Sequence, residues 1–300
     1  MNRVCAVRIL AALCTSVTPA LTQIADSCDR AQSALLYSES REALNAHQYD
    51  VAERRLREAL TVCPSDRRLL FSLAEANLAR RDFAEAISNT QAFLEAVPQS
   101  IAGRVMLADA YFMAGRLKEA LAETEVALRA DARNMRALKI KANACYLLGS
   151  FENAKETLID LMEQHPKDEE APYMLGRMYY QERYVDLAIG QFERVLRLNP
   201  SSYKALDNLG LCYQARGEDD KAIRYFLSSI KLVKDDHPEY DWPYANLADL
   251  LIRTGDNQKA YDAAAKAAER NPNSARNFYL GGKALCNLGK IELCLNWLQR

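Results

Sequence analysis

The sequence predicts an all-α chain, a solenoid of antiparallel helix pairs stacked one on the next, and three observations predict it. Proline recurs at Pro64, Pro98, Pro166 and Pro200, at separations of 34, 68 and 34 residues. When the chain is counted in 34-residue units with that proline at position 32, two columns hold only small residues. Position 8 reads Ser40, Ala74, Ala108, Ala142, Gly176, Gly210, Ala248 and Gly282. Position 20 reads Ala52, Ala86, Ala120, Ala154, Ala188, Ala222, Ala260 and Cys294. Glycine marks the middle of five units at position 15: Gly115, Gly149, Gly217, Gly255 and Gly289. Small residues fill roughly one position in four of an average chain, so two uniform columns of this kind are not chance.

The units run 33–66, 67–100, 101–134, 135–168, 169–202 and 203–236. A four-residue insert, 237–240, precedes 241–274, which gives seven repeats over 33–274, and a partial eighth fills 275–300. Residues 21–32 are a lead-in to the first helix. Each unit holds two apolar segments with helical spacing, as in Leu206, Leu209, Leu211 and Tyr213 followed by Ala222, Ile223, Phe226 and Ile230. Glycine at position 15 ends the first helix by taking positive φ, and the proline stops the second. Small residues at 8 and 20 mark where the two helices cross. Large residues at positions 4, 11 and 24, such as Tyr179 and Phe192, fill the space around the crossing.

Residues 1–20 read as a separate object. Arg3 and Arg8 precede a short apolar run, Ile9 to Cys14, and the stretch ends in Thr18-Pro19-Ala20 with no acid throughout. That is the pattern of a secretory signal peptide cleaved after Ala20, which places the protein in the periplasm or outside the cell. The apolar run is shorter than the roughly 20 residues a membrane span needs. Leu13 before Cys14 does not resemble a bacterial lipidation site, so no stable membrane anchor is expected. The 300 residues carry 39 Lys and Arg against 40 Asp and Glu, a net charge of −1. This balance argues against nucleic acid as the main partner, because phosphate binding needs a basic excess.

The columns resemble the tetratricopeptide repeat family, most closely over 169–202, where Leu175, Gly176, Tyr179, Ala188, Phe192 and Pro200 stand at the family's stations. The resemblance covers residues 33–300 and implies a right-handed superhelix whose first helices line a concave face. Departures are Glu39, Lys141 and Gly281 where Leu is expected, and His47 where Gly is expected. On this frame the concave positions are 2, 5, 9, 12 and 13. Phe112, Tyr146, Tyr173 and Tyr180 then form an aromatic stripe bordered by Arg136, Lys139, Asn143 and Arg177, the candidate partner-binding residues. An aromatic rail with a polar edge suits a peptide or protein segment. Some family members grip a terminal carboxylate at five stations. Lys139, Asn143 and Lys204 match three of them, but Met174 and Asn208 do not, so that mode is not expected here.

Candidate chemistry is sparse. His47, His165 and His237 fall at separate turns with no metal-ligand spacing, and the sequence has no Cys-x-x-Cys, phosphate loop or nucleophile elbow. The acidic groups Asp168-Glu169-Glu170, Asp219-Asp220 and Asp235-Asp236 sit at turns or helix starts and read as solvated acids favoured by helix N-termini. No cofactor and no enzymatic activity are expected. Cys145 and Cys212 fall at buried helix positions and read as small core residues. Cys28 should start the first helix and Cys63 end the second. Antiparallel packing brings these ends together, which makes Cys28 and Cys63 a disulfide candidate worth roughly 3–4 kcal/mol. Cys286 and Cys294 are expected on different helix faces and to pair less readily. The last segment carries Leu293, Leu295, Trp297 and Leu298, an apolar edge for docking a partner or a second copy, or for folding inward. The chain thus reads as an exported protein-binding scaffold. The alternative is a non-catalytic docking subunit of an enzyme or of an envelope or secretion assembly.

Overall fold

The structure, a computed structural model, describes residues 28–233, 237 and 239–300. The expected signal peptide, residues 21–27 of the lead-in, Asp235-Asp236 and Pro238 lie outside the described residues. Sixteen helices and no strand occur among the described residues. They form antiparallel pairs: α1 (Arg30–Asn45) with α2 (Tyr49–Val62), α3 (Arg67–Ala79) with α4 (Phe83–Ala96), α5 (Ile101–Met113) with α6 (Leu117–Ala130), and α7 (Met135–Leu147) with α8 (Phe151–Gln164). The succession continues with α9 (Glu170–Gln181) and α10 (Val185–Leu198), α11 (Tyr203–Ala215) and α12 (Asp219–Val233), α13 (Trp242–Thr254) and α14 (Asn257–Arg270), and α15 (Ala275–Asn287) and α16 (Ile291–Leu298). Each pair packs chiefly on the pairs before and after it, the one-dimensional contact pattern of a solenoid.

The two small-residue columns are the crossing points. All eight position-20 residues, from Ala52 to Cys294, have 0% exposure, and every position-8 residue is buried. The glycines among them stand where the partner helix brings a bulky side chain. A Cβ on Gly176 would come within 2.9 Å of the Phe192 ring, and one on Gly210 would strike Phe226. Where position 8 is alanine, position 24 is smaller than phenylalanine: Thr90 in the unit of Ala74, Thr124 in that of Ala108, Leu158 in that of Ala142 and Ala264 in that of Ala248. Position 24 is therefore not uniformly large, as the sequence reading has it. Phenylalanine stands there only in units whose position 8 is glycine.

The turn column is uniform in conformation although not in residue type. The five glycines at position 15 have φ between 75° and 91°, and the other three units put His47 (φ 58°), Arg81 (φ 64°) and Arg183 (φ 68°) into the same left-handed geometry. Other departures also have local reasons. Glu39 of α1 is half-buried and pairs with Arg55 of α2 at 2.9 Å. Gly281 yields its space to Trp297, whose ring turns inward against Phe278 and Tyr261, while Leu293, Leu295 and Leu298 stay about half exposed.

Two cysteine results bear on the sequence reading. Cys28 precedes α1 rather than starting it, because Asp29 is the N-cap and accepts hydrogen bonds from the Ala31 and Gln32 amides. The Cys28 sulfur is bonded to that of Cys63, the C-cap of α2, with the Cα atoms 4.6 Å apart. Cys286 and Cys294 are bonded as well, with Cα atoms 5.2 Å apart. This corrects the expectation of divergent faces: Cys294 occupies the crossing column, so it necessarily faces α15. Cys145 and Cys212 are buried free thiols.

Gly210→Ala is expected to destabilise the chain by about 1–3 kcal/mol through overpacking against Phe226. Combining it with Phe226→Leu should give less than the sum of the single losses in a denaturant-unfolding cycle. Arg81→Gly and Arg183→Gly should each raise stability by ~1 kcal/mol, read as a higher Tm, by removing a left-handed L-residue.

Candidate functional site

The first helices of successive pairs lie side by side, and their exposed stations form one continuous face. On it a groove of about 560 Å³ opens between α7, α9 and α11. Asn143 and Tyr146 of α7 form one wall, and Tyr173, Met174 and Arg177 of α9 the middle. Ser202 and Lys204, at the start of α11, form the other wall, with Val195 of α10 below. Of the eight sequence-predicted residues, the structure brings Asn143, Tyr146, Tyr173 and Arg177 together here. Phe112 lies two helices away and is half buried against the core of the second and third pairs. Tyr180 packs beside the core around Cys212 and does not line the groove.

The aromatic walls are held rigidly. The Tyr173 ring meets Phe192 edge-on at 5.9 Å, and its hydroxyl accepts a 3.4 Å hydrogen bond from Asn208 Nδ2. The Tyr146 hydroxyl donates to Gln181 Oε1 at 3.1 Å, and its ring meets Phe151 edge-on at 5.7 Å. Burial pushes the Tyr173 and Tyr180 hydroxyls above the ordinary tyrosine pKa, so both remain neutral donors at neutral pH.

The cations divide into bound and free. Arg136 is paired with Asp109 of α5. Lys139 lies 2.5 Å from Asp168 Oδ2 and 2.8 Å from Glu170 Oε2. Burial works against its ammonium, but the two carboxylates outweigh that and raise its pKa. Lys139 therefore ties α7 to the start of α9. Asp168 corrects the solvated-acid reading: its side chain is only 7% exposed and also accepts from the Ala171 amide at 2.9 Å. Arg177 and Lys204 make no ion pair among the described residues and are the cations the groove can offer. Sequence reasoning did not assign Lys204, Met174 or Ser202 to a site, although Lys204 carries the right signal, a cation at position 2 of the unit after Arg177.

Beyond Lys204 lies a buried polar set. Asp207 is 3% exposed and accepts from Asn246 Nδ2 at 2.9 Å, and Arg276 Nη2 donates to Asn246 Oδ1 at 2.9 Å. Desolvation pushes the Asp207 pKa up from 3.8 to about 6, against the opposing effects of Asn246, Arg276 and the Tyr240 hydroxyl. His165 Nε2 lies 2.7 Å from the Arg133 carbonyl oxygen, and His237 packs on Tyr203. Among the described residues no three His, Cys, Asp or Glu side chains stand together as a metal site, and no helix is long and apolar enough to cross a membrane. Leu147, Glu169 and Glu170 complete the lining, so the groove can bind and orient a partner through aromatic faces, neutral donors, the two cations and the Glu169 carboxylate, while Glu170 is held by Lys139.

Three tetratricopeptide repeat profiles match residues 37–101, 77–144 and 201–273, together more than half of the chain. The chain belongs to the tetratricopeptide repeat family. As a tetratricopeptide repeat protein it is similar to the probable UDP-N-acetylglucosamine–peptide N-acetylglucosaminyltransferase SEC of Arabidopsis thaliana, 29% identical over 89 residues, 30% of this chain and 9% of that one. It is also similar to the CTR9 homolog of the same plant, 21% identical over 264 residues, 74% of this chain and 24% of that one. The chain therefore spans less than a quarter of either relative's length. Among solved structures, PilF of Pseudomonas aeruginosa superposes with a TM-score of 0.60 at 21% identity, over 70% of this chain and 94% of that one. The C-terminal part of a repeat protein from Cytophaga hutchinsonii gives 0.64 at 16% identity, over 84% and 99%. These solved structures share the solenoid fold.

Asp207 makes stability pH-dependent. Between pH 3.8 and about 6 the folded chain keeps a proton that the unfolded chain has released. Stability should therefore fall as pH rises through that window, by about 3 kcal/mol at most. Asp207→Asn should remove this slope from denaturant unfolding measured at pH 4 to 7.

Proposed function

We propose that this tetratricopeptide repeat chain is an exported scaffold that binds a peptide or protein segment in the groove between α7, α9 and α11. The observation that carries the reading is the conjunction of two held tyrosines, Tyr146 and Tyr173, with the unpaired Arg177 and Lys204 around one cleft. Tyrosine and arginine are enriched among the residues that dominate binding energy at protein interfaces. The mechanism is surface complementarity, with no bond made or broken. Arg136 and Lys139 support the groove from outside it by fixing α5 to α7 and α7 to α9.

Two features support export: the basic-then-apolar start at residues 1–20 and the bonded pairs Cys28–Cys63 and Cys286–Cys294. Disulfides persist in oxidising compartments and are reduced in the cytosol. The half-exposed Leu293, Leu295 and Leu298 support self-association through α16, which should appear as a concentration-dependent mass in light scattering.

Crosslinking and pull-down from the exported fraction should capture partners with wild type and lose them with Tyr146→Ala/Arg177→Glu. Unchanged capture by a variant with a native melting curve rules the groove out. Protein recovered from that fraction should begin at Leu21 by mass. Denatured without reductant, it should show two titratable thiols, Cys145 and Cys212, rather than six.

A further inference from the structure

A second groove lies on the other set of helices. It runs between α12 and α14, the second helices of adjacent pairs, with α13 as its floor, and its volume is about 590 Å³. Its origin is one station in the repeat. At position 23 the preceding pair carries Tyr225, stacked on Tyr213 at 5.2 Å, and the following pair carries Trp297, packed on Phe278 at 5.6 Å. Between them stands Ala263, so the space those rings occupy is open here. The neighbouring stations on α14 do not compensate, since Ala260, Ala264, Ala267 and Ala268 are all alanine.

One wall of this groove is apolar and patterned. Ile223, Leu227 and Ile230 line it at i, i+4 and i+7 along α12, and Leu227 is 50% exposed. Such a ladder accepts another helix, whose own i, i+3, i+4 and i+7 side chains interdigitate with it. The rim is acidic at one end. Asp219 and Asp220 open α12 and Asp256 caps α14, with Asp262 further along. Arg253 pairs with Asp219 and Lys259 with Asp256, while Asp220 makes no ion pair among the described residues. Four carboxylates stand against Lys259, Lys266 and the Arg253 bound to Asp219, which leaves the groove one charge negative, with Asp220 the acid at this end that has no ion pair among the described residues.

We infer that this groove is a docking site for an amphipathic helix of a partner protein, one carrying leucine-sized residues on a single face and lysine or arginine at the end that lies by Asp219, Asp220 and Asp256. The site uses none of the residues of the α7–α9–α11 groove, so a helix docked here leaves that groove's lining free.

A fluorescein-labelled 16-residue helical peptide tests this, with leucines at i, i+4, i+7 and i+11 and three lysines at one end. Its twin has glutamates for the lysines. Anisotropy titrations against the full chain at 0.15 M salt should show saturable binding of the lysine peptide and at least tenfold weaker binding of the glutamate twin. Ala263→Tyr restores the side chain a sister repeat carries, and it should weaken binding at least tenfold with no loss of Tm. Leu227→Lys should do the same from the exposed wall, and Asp220→Lys should weaken binding several-fold. Tyr146→Ala should bind as wild type. No saturable binding by wild type, equal binding of both peptides, or wild-type affinity in both Ala263→Tyr and Leu227→Lys overturns the inference. Failure of the α7–α9–α11 groove in the pull-down would leave these titrations unaffected.

Discussion

The whole structure depends on two backbones approaching closely at one point in every pair. Only Ser, Ala, Gly or Cys occurs at the crossing stations, and none of the position-20 residues keeps any exposure. Close approach lets the larger residues around the crossing interdigitate, and this burial of apolar surface holds each pair and its neighbour together. A methyl group too many at Gly210 meets Phe226, so the constraint is one of volume before it is one of polarity. Because each pair touches chiefly the pairs beside it, the constraint must be met locally in every unit.

Much of the fold was legible for this reason. A period of 34 residues with two uniform columns is a direct image of the crossing geometry, and the five glycines at position 15 mark the turns. The rest was hidden where one unit meets the demand differently. His47, Arg81 and Arg183 take the left-handed turn without being glycine, since the flanking helices dictate the backbone whatever the residue. Asp168 looked like a surface acid because its partner, Lys139, comes from the preceding pair, 29 residues back by numbering. Cys286 and Cys294 lie only eight residues apart on what read as different helix faces, but the turn between α15 and α16 folds Cys294 back onto α15.

The groove between α7, α9 and α11 was half legible. The columns locate tyrosines and cations on the first helices but do not say which cations are already engaged. Ion pairs between adjacent pairs take Arg136 and Lys139 out of reach and leave Arg177 and Lys204. The stripe is also shorter than the columns imply: Phe112 and Tyr180 turn their rings toward core clusters, because an aromatic side chain at that station can bury most of its area without leaving its helix.

Both disulfides sit in terminal pairs of the described solenoid, one closing α1 and α2 and the other joining α15 to α16. Each unit of a linear stack leans on the units beside it, so its two helices can part when those contacts open. A covalent stitch inside a pair removes that route: the hairpin stays folded on itself even while its outer faces are bare.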